Sequence, residues 1–149
     1  MCFQSIGSIP QKTENWKLDK LDKLVKKIIY SDNAPKAIGT YSQAILAGKF
    51  LFISGQIGLD PATMKLVKGF KEETIQVFKN ITSICEEAGY SINDVVKLNI
   101  LLTDLTNFQK VNEIMESTLE KPYPARAAYE VSSLPKNSSI EIESIAYKE

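Results

Sequence analysis

The stretch VVKLNILLTDLTNFQKVNEIMESTL, residues 95–119, changes its apolar spacing partway along. Its first eight residues are an apolar run of strand length. From residue 106 onward, Phe108, Val111, Ile114 and Met115 recur three or four apart, which is the spacing of one helix face. The pattern therefore predicts a strand over 95–102 feeding a helix over 106–119, with Pro122 and Pro124 ending the helix. Toward the N-terminus, Ile75, Phe78, Ile81, Cys85 and Ala88 mark a second amphipathic helix over 72–88, with Gly89 as its C-cap. Before it, SQAILA (42–47) and FLFISGQI (50–57) are separated only by Gly48-Lys49, a two-residue link that reads as a β-hairpin. Residues 59–69 read as loop with a short strand at 65–67. After the helices, strands are expected over 125–131 and 140–146, on either side of SSLPKNSS. The order βββ-α-β-α-ββ predicts an α+β layer with both helices on one sheet face.

Composition narrows the chemistry. The 149 residues are 44% hydrophobic and 24% charged, ordinary values for one globular domain. A chain of this length buries roughly 70% of its unfolded surface and needs neither disulfide nor metal to be stable. Lys plus Arg equals Asp plus Glu at 18 each, so there is no global basic field for nucleic-acid binding. Histidine is absent, which removes Ser-His-Asp and Cys-His catalysis, His-ligated zinc and RNA cleavage by a histidine pair. Cys2 and Cys85 form no CxxC, consistent with a reducing compartment, and Cys85 reads as core. Residues 1–29 hold six Lys against three acids, and Leu18, Leu21, Leu24, Val25 and Ile28 fall at roughly helical spacing. They read as a short appended helix, or as a disordered extension, assigned to residues 1–27, ahead of a domain over 28–149. Neither a secretory signal nor a bilayer-spanning run of about 18 apolar residues is evident, so a cytoplasmic location is expected, with an organelle address for the extension as the alternative.

Several residues stand out chemically. Arg126 is the single arginine beside 17 lysines, and a lone guanidinium suggests a need for planar, bidentate geometry toward a carboxylate or phosphate, a salt bridge being the plainer alternative. In IEIESIA (140–146), Glu141 and Glu143 share one strand face, and an antiparallel pairing with PARAAYEV would bring Arg126 toward that end of the sheet. Ser54-Gly55 reads as a bulge or a close backbone approach to a ligand. Tyr41 follows the Gly39 turn as core or as a stacking partner, and Asn112 reads as a helix-surface amide.

Together NAPKAIGTYSQA (33–44), FISGQIGLDPATMKLV (52–67), EEAG (86–89), DVVKLNILLTDLTNFQKVNEI (94–114) and YPARAAYEVSSLPKNSSIEIESIA (123–146) resemble the RidA/YjgF-like imine deaminases, once called L-PSP endoribonucleases or translation inhibitors. The resemblance spans residues 28–147. It implies a mixed six-stranded, chorismate-mutase-like sheet with two helices on one face, assembled as a homotrimer with active sites in the clefts between subunits. It also implies hydrolysis of 2-imino and 2-enamino acids, made by pyridoxal-phosphate dehydratases from serine or threonine, to 2-keto acids and ammonia, with no cofactor and no metal. By the same resemblance Arg126 clamps the substrate carboxylate and Glu141, rather than Glu143, holds the water. Tyr41, Ser54, Gly55 and Asn112 contact substrate, as does the backbone of Ala128, a position where some members carry Cys. The alternatives are an RNA-cleaving translation inhibitor, for which the phosphate contacts are scarce, and a non-catalytic metabolite binder or chaperone-like trimer.

Overall fold

The hairpin is formed by β2 (Ala44–Ala47) and β3 (Phe50–Ile57), which pair antiparallel, with Gly48 supplying the left-handed turn residue at φ 61°. The computed structural model describes residues 26–149. Ahead of the hairpin β1 (Lys27–Ile29) pairs antiparallel with β2. Ile28, the last residue of the helical spacing in the extension, thus lies on a strand, while Leu18 to Val25 and Cys2 fall outside the described residues. The predicted strand at 65–67 is reduced to a single bridge between Leu59 and Leu66. The third strand before the first helix is therefore β1 and not a segment of the 59–69 loop.

Helix α1 (Phe70–Glu87) buries Val77, Phe78, Ile81, Ile84 and Cys85. It closes in a Schellman motif in which the Gly89 N–H donates to the Glu86 carbonyl and the Tyr90 N–H to the Cys85 carbonyl, with Gly89 at φ 77°. Strand β4 (Val95–Leu102), helix α2 (Phe108–Thr118) and strand β5 (Ala125–Glu130) follow, and β6 (Ile140–Tyr147) ends the chain. Among the described residues the six strands form one sheet in the order β1-β2-β3-β6-β4-β5. Among neighbouring strands only β4 and β5 pair in parallel, and β6 inserts antiparallel between β3 and β4, which therefore run in the same direction. The chain therefore crosses from β3 to β4 through α1 and from β4 to β5 through α2, both times in the same direction across the sheet. Two crossovers of one hand and one direction lay their helices on the same face.

That face is the core. Leu51, Ile53, Leu98, Ile100, Leu102, Ile140, Ile142 and Ala146 point into one buried cluster with Val77, Ile81 and Ile84 of α1 and Val111 and Ile114 of α2. The two-residue strand period sends the intervening side chains to the opposite, helix-free face. Glu73, in the first turn of α1, accepts the Ser139 N–H at 2.8 Å and fastens the start of β6 to that helix. Ile100 lies at the centre of this packing and is fully buried. Ile100→Ala is expected to cost about 2–5 kcal/mol. Urea unfolding at fixed protein concentration should give a lower midpoint with an unchanged slope.

Candidate active site

The carboxylate of Glu141 is placed by an irregularity in β3. The β3–β6 register runs evenly through Ile53↔Ser144, then shifts before Gln56↔Ile142 and Ile57↔Glu141. In this bulge Ser54 and Gly55 together face the single residue Glu143 of β6. The Ser54 N–H donates to the Gln43 carbonyl at 3.0 Å and its hydroxyl to the Ser42 carbonyl at 2.6 Å, so the bulge is tied back to the adjoining strand. At Gly55 a Cβ would collide with Glu141 Oε1, so only glycine lets the carboxylate lie against the strand. Glu141 is half-buried there. Loss of hydration pushes its pKa up, and the neighbouring Glu143 carboxylate pushes it further in the same direction. Glu143, although on the same face, is exposed, and its Oε2 accepts from Asn99 Nδ2 at 3.4 Å. The two residues, alike in the sequence, occupy different environments.

Glu141 opens onto a cavity of about 600 Å³ with Tyr41, Ser54 and Gly55 in its wall. Tyr41 reaches it from the 33–41 segment, where its hydroxyl oxygen accepts the Ile38 N–H at 3.4 Å. That segment is held by Gln43, a buried amide whose Oε1 accepts the Ser31 N–H at 2.6 Å. Its Nε2 donates to the carbonyls of Ser31, Ala34 and Pro35 at 3.0, 3.3 and 2.9 Å. The part played by Gln43 was missed in the sequence, where its signal is one amide ahead of an apolar strand.

Arg126 lies elsewhere. Its Nη1 donates to Asn112 Oδ1 at 2.5 Å and contacts the Met115 sulfur at 3.4 Å, and its guanidinium sits 4.7 Å from the centre of the Phe108 ring. Nε and Nη2 have no hydrogen-bond partner among the described residues. With Asn112, Tyr123 and Pro124 it lines a separate cavity of about 530 Å³. Asn112 is thus a guanidinium partner rather than a solvated amide, and Phe108 and Met115 serve Arg126 as well as the core. The expected pairing of the Arg126 strand with the Glu141 strand does not occur, because β4 lies between β5 and β6. Arg126 aligns with the core-facing Leu98, whereas Glu141 aligns with Leu101 on the opposite face. The separation is roughly 10 Å across the sheet and roughly 10 Å along it. Ala128, aligned with Ile100, shares the Arg126 face. One chain therefore groups Tyr41, Ser54, Gly55 and Glu141 in one place and Arg126 and Asn112 in another, with Ala128 nearer the latter.

The sequence pattern of the endoribonuclease L-PSP family matches residues 31–148. The chain belongs to that family, the RidA/YjgF proteins. A RutC family protein of Pyrococcus horikoshii is 55% identical over 84% of this chain and the whole of that protein. A human protein named 2-iminobutanoate/2-iminopropanoate deaminase is 46% identical over 85% of this chain and 93% of its own length. The crystal structure of RidA from an Antarctic Psychrobacter superposes with a TM-score of 0.81 at 55% identity, covering 82% of this chain and 99% of that one.

In this RidA/YjgF chain Cys85, the cysteine among the described residues, is a poor nucleophile, because burial, with Asp94 and Glu86 nearby, pushes its thiol up to about 12. Among the described residues no group of three or more His, Cys, Asp or Glu is placed to hold a metal ion, and no helix is long and apolar enough to cross a membrane. Because desolvation is the larger cause of the Glu141 shift and Glu143 the smaller, Glu143→Gln should lower the Glu141 midpoint without returning it to the ordinary carboxylate value. Carboxyl-carbon NMR titration of the variant reads this directly.

Proposed function

We propose that this protein hydrolyses 2-imino and 2-enamino acids, such as those that pyridoxal-phosphate dehydratases release from serine and threonine, to 2-keto acids and ammonia. The observation that carries the reading is the Glu141 carboxylate, half-buried against Gly55 at a cavity wall with its pKa raised. The name of the human relative supports the same substrate class. An imine carbon is already electrophilic, so the reaction needs a positioned water and one group that moves protons, not a strong nucleophile. Water attacks C2 as Glu141 takes its proton. The carboxyl then returns that proton to the nitrogen to give a tetrahedral carbinolamine, takes the hydroxyl proton and passes it to the amine, so that the C2–N bond breaks to release ammonia as the C2–O bond becomes a carbonyl. A carboxyl with a raised pKa serves both directions of transfer better than an ordinary one.

The substrate carboxylate is assigned to Arg126 of the partner subunit in a homotrimer. Two features support this. Arg126 and Glu141 lie on opposite faces within a chain, so one small molecule reaches both only across a subunit boundary. The helix-free face also exposes Phe50 and Phe52, each 45% accessible, with the Phe50 and Tyr147 rings 5.0 Å apart, an apolar surface suited to burial against another copy. The catalytic unit in this reading is residues 28–149, and Tyr41, Ser54 and the Ala128 backbone complete the substrate contacts.

Purified protein added to a threonine dehydratase and its substrate should speed ammonia release beyond the spontaneous rate, and Glu141→Gln should lower that acceleration by about 10²-fold. Unchanged release in the presence of the wild-type protein would overturn the reading. RNA cleavage that falls steeply with salt would favour the ribonuclease alternative. A shared site makes a second prediction. Arg126→Ala and Glu141→Gln are each expected to be inactive, yet trimers refolded from an equal mixture should regain about one quarter of the wild-type sites, since one boundary in four pairs an intact Glu141 with an intact Arg126. No recovery in mixed trimers would place both residues in one subunit's site or in none.

A further inference from the structure

The loop over 58–69 forms one side of the Glu141 cavity and is held rigidly. Asp60 Oδ1 accepts from the Thr63 N–H at 2.8 Å and the Thr63 hydroxyl at 3.0 Å, and the Asp60 carbonyl accepts the Met64 N–H at 2.8 Å. The Asp60 N–H donates to the Lys65 carbonyl at 2.9 Å, and Leu59 bridges to Leu66. This network fixes Met64 at φ 56°, a left-handed conformation that a side chain with a Cβ seldom adopts. Every bond in the network is made by backbone or by Asp60 and Thr63, so glycine at position 64 would serve the turn equally well and without strain. What methionine adds is its side chain, and that side chain lines the cavity with Ile38, Ile57 and Leu59. Among the polar groups of the same cavity, Glu141 and Glu143 belong to β6, Ser54 and Gln56 to β3, and Lys36 and Lys136 to other loops, so this loop contributes only the apolar Leu59 and Met64.

We propose that Met64 is a specificity-determining residue that walls off the apolar part of the cavity, so that the site takes imines with short, unbranched side chains and resists branched or aromatic ones. The inference rests on the deaminase reading, which places the imine carbon at Glu141 and sends its side chain toward Ile38, Ile57 and Leu59. A thioether stem is flexible enough to lie along an ethyl group, yet it occupies the volume a longer chain would need. Strain held at a ligand-facing position is a common sign that the side chain serves the site rather than the fold.

The test measures turnover of alanine-derived and leucine-derived imines, each generated in place by an L-amino acid oxidase with catalase, above the spontaneous rate. The wild type should favour the alanine imine. Met64→Gly should raise the leucine-to-alanine ratio of kcat/KM at least about tenfold, the discrimination that one or two methylenes provide in an apolar pocket. Met64→Leu keeps both the volume and the left-handed backbone and should retain the wild-type ratio. An unchanged ratio in Met64→Gly, with alanine-imine turnover intact, overturns this inference and leaves the deaminase reading standing. So does an equal shift in both variants, which would assign the effect to the loop and not to the side-chain volume. Absence of wild-type turnover on either imine overturns the deaminase reading and this inference together.

Discussion

Strand β4 separates the strands that carry Arg126 and Glu141, and the alternation of side chains along a strand then decides where their charges go. Arg126 is level with Leu98 and Glu141 with Leu101, an odd number of residues apart on β4, so the cation joins the helix face and the carboxylate the open face. A slip of one residue in the β4–β6 pairing would bring Glu141 to the side of Arg126, but it would also turn Ile142 out of the core. The packing that fixes the fold therefore also fixes the separation of the two groups. In the proposed deaminase a substrate as small as an imino acid could not bridge them within a chain, and the uncovered apolar face would supply the driving force for a second chain to do so.

Gly55 and Glu141 show how far a local irregularity can tune a carboxyl. A regular β3 would carry a side chain where Glu141 now lies, and would push that carboxylate into water. The bulge admits it to a partly dry site beside Glu143, and both features favour the protonated form. The consequence for stability has a definite sign. With its folded pKa above its unfolded value, Glu141 binds its proton more tightly in the native state, so its contribution to stability declines as pH rises through that interval. Near neutral pH the fold thus carries a carboxyl that would be better solvated elsewhere, which is the common position of a group kept for chemistry rather than for folding.

Much of the architecture was legible in the sequence, because it depends on local patterns. The hairpin followed from Gly48 between two apolar runs, α1 from its three-and-four spacing and the Gly89 terminus, and α2 from Phe108, Val111, Ile114 and Met115. Strand order was not legible. Nothing in PARAAYEV or IEIESIA indicates that β4 comes between them, since the parallel β4–β5 pairing is made by residues about 28 positions apart through a crossover helix. For the same reason the Arg126 partners were found only in part. Met115 was read as core because helical spacing demanded it, and it is core, yet its sulfur also touches the guanidinium. The short strand expected at 65–67 is reduced to a bridge because the turn closed by Asp60 and Thr63 folds it back on residues 58–60 alone, with the Asp60 N–H donating to the Lys65 carbonyl and the Val67 N–H to the Gly58 carbonyl.

The single arginine among so many lysines acquires a physical reason from its surroundings. The Phe108 ring supports the flat face of the guanidinium, and Asn112 fixes one edge through Nη1, leaving a planar fork already oriented before any ligand arrives. A lysine ammonium at the same point would meet the ring as a compact charge with no preferred plane, and its flexible stem would have to be ordered at the moment of binding. If Arg126 holds a small anion as proposed, little entropy should remain to be lost on contact, because such a ligand offers few atoms with which to compensate the loss. The aromatic ring, the amide and the thioether on α2 therefore belong to the same device as Arg126 itself. Helix α2 serves the site by its inner face in two ways at once, packing the core with Val111 and Ile114 while Phe108, Asn112 and Met115 hold the cation in place.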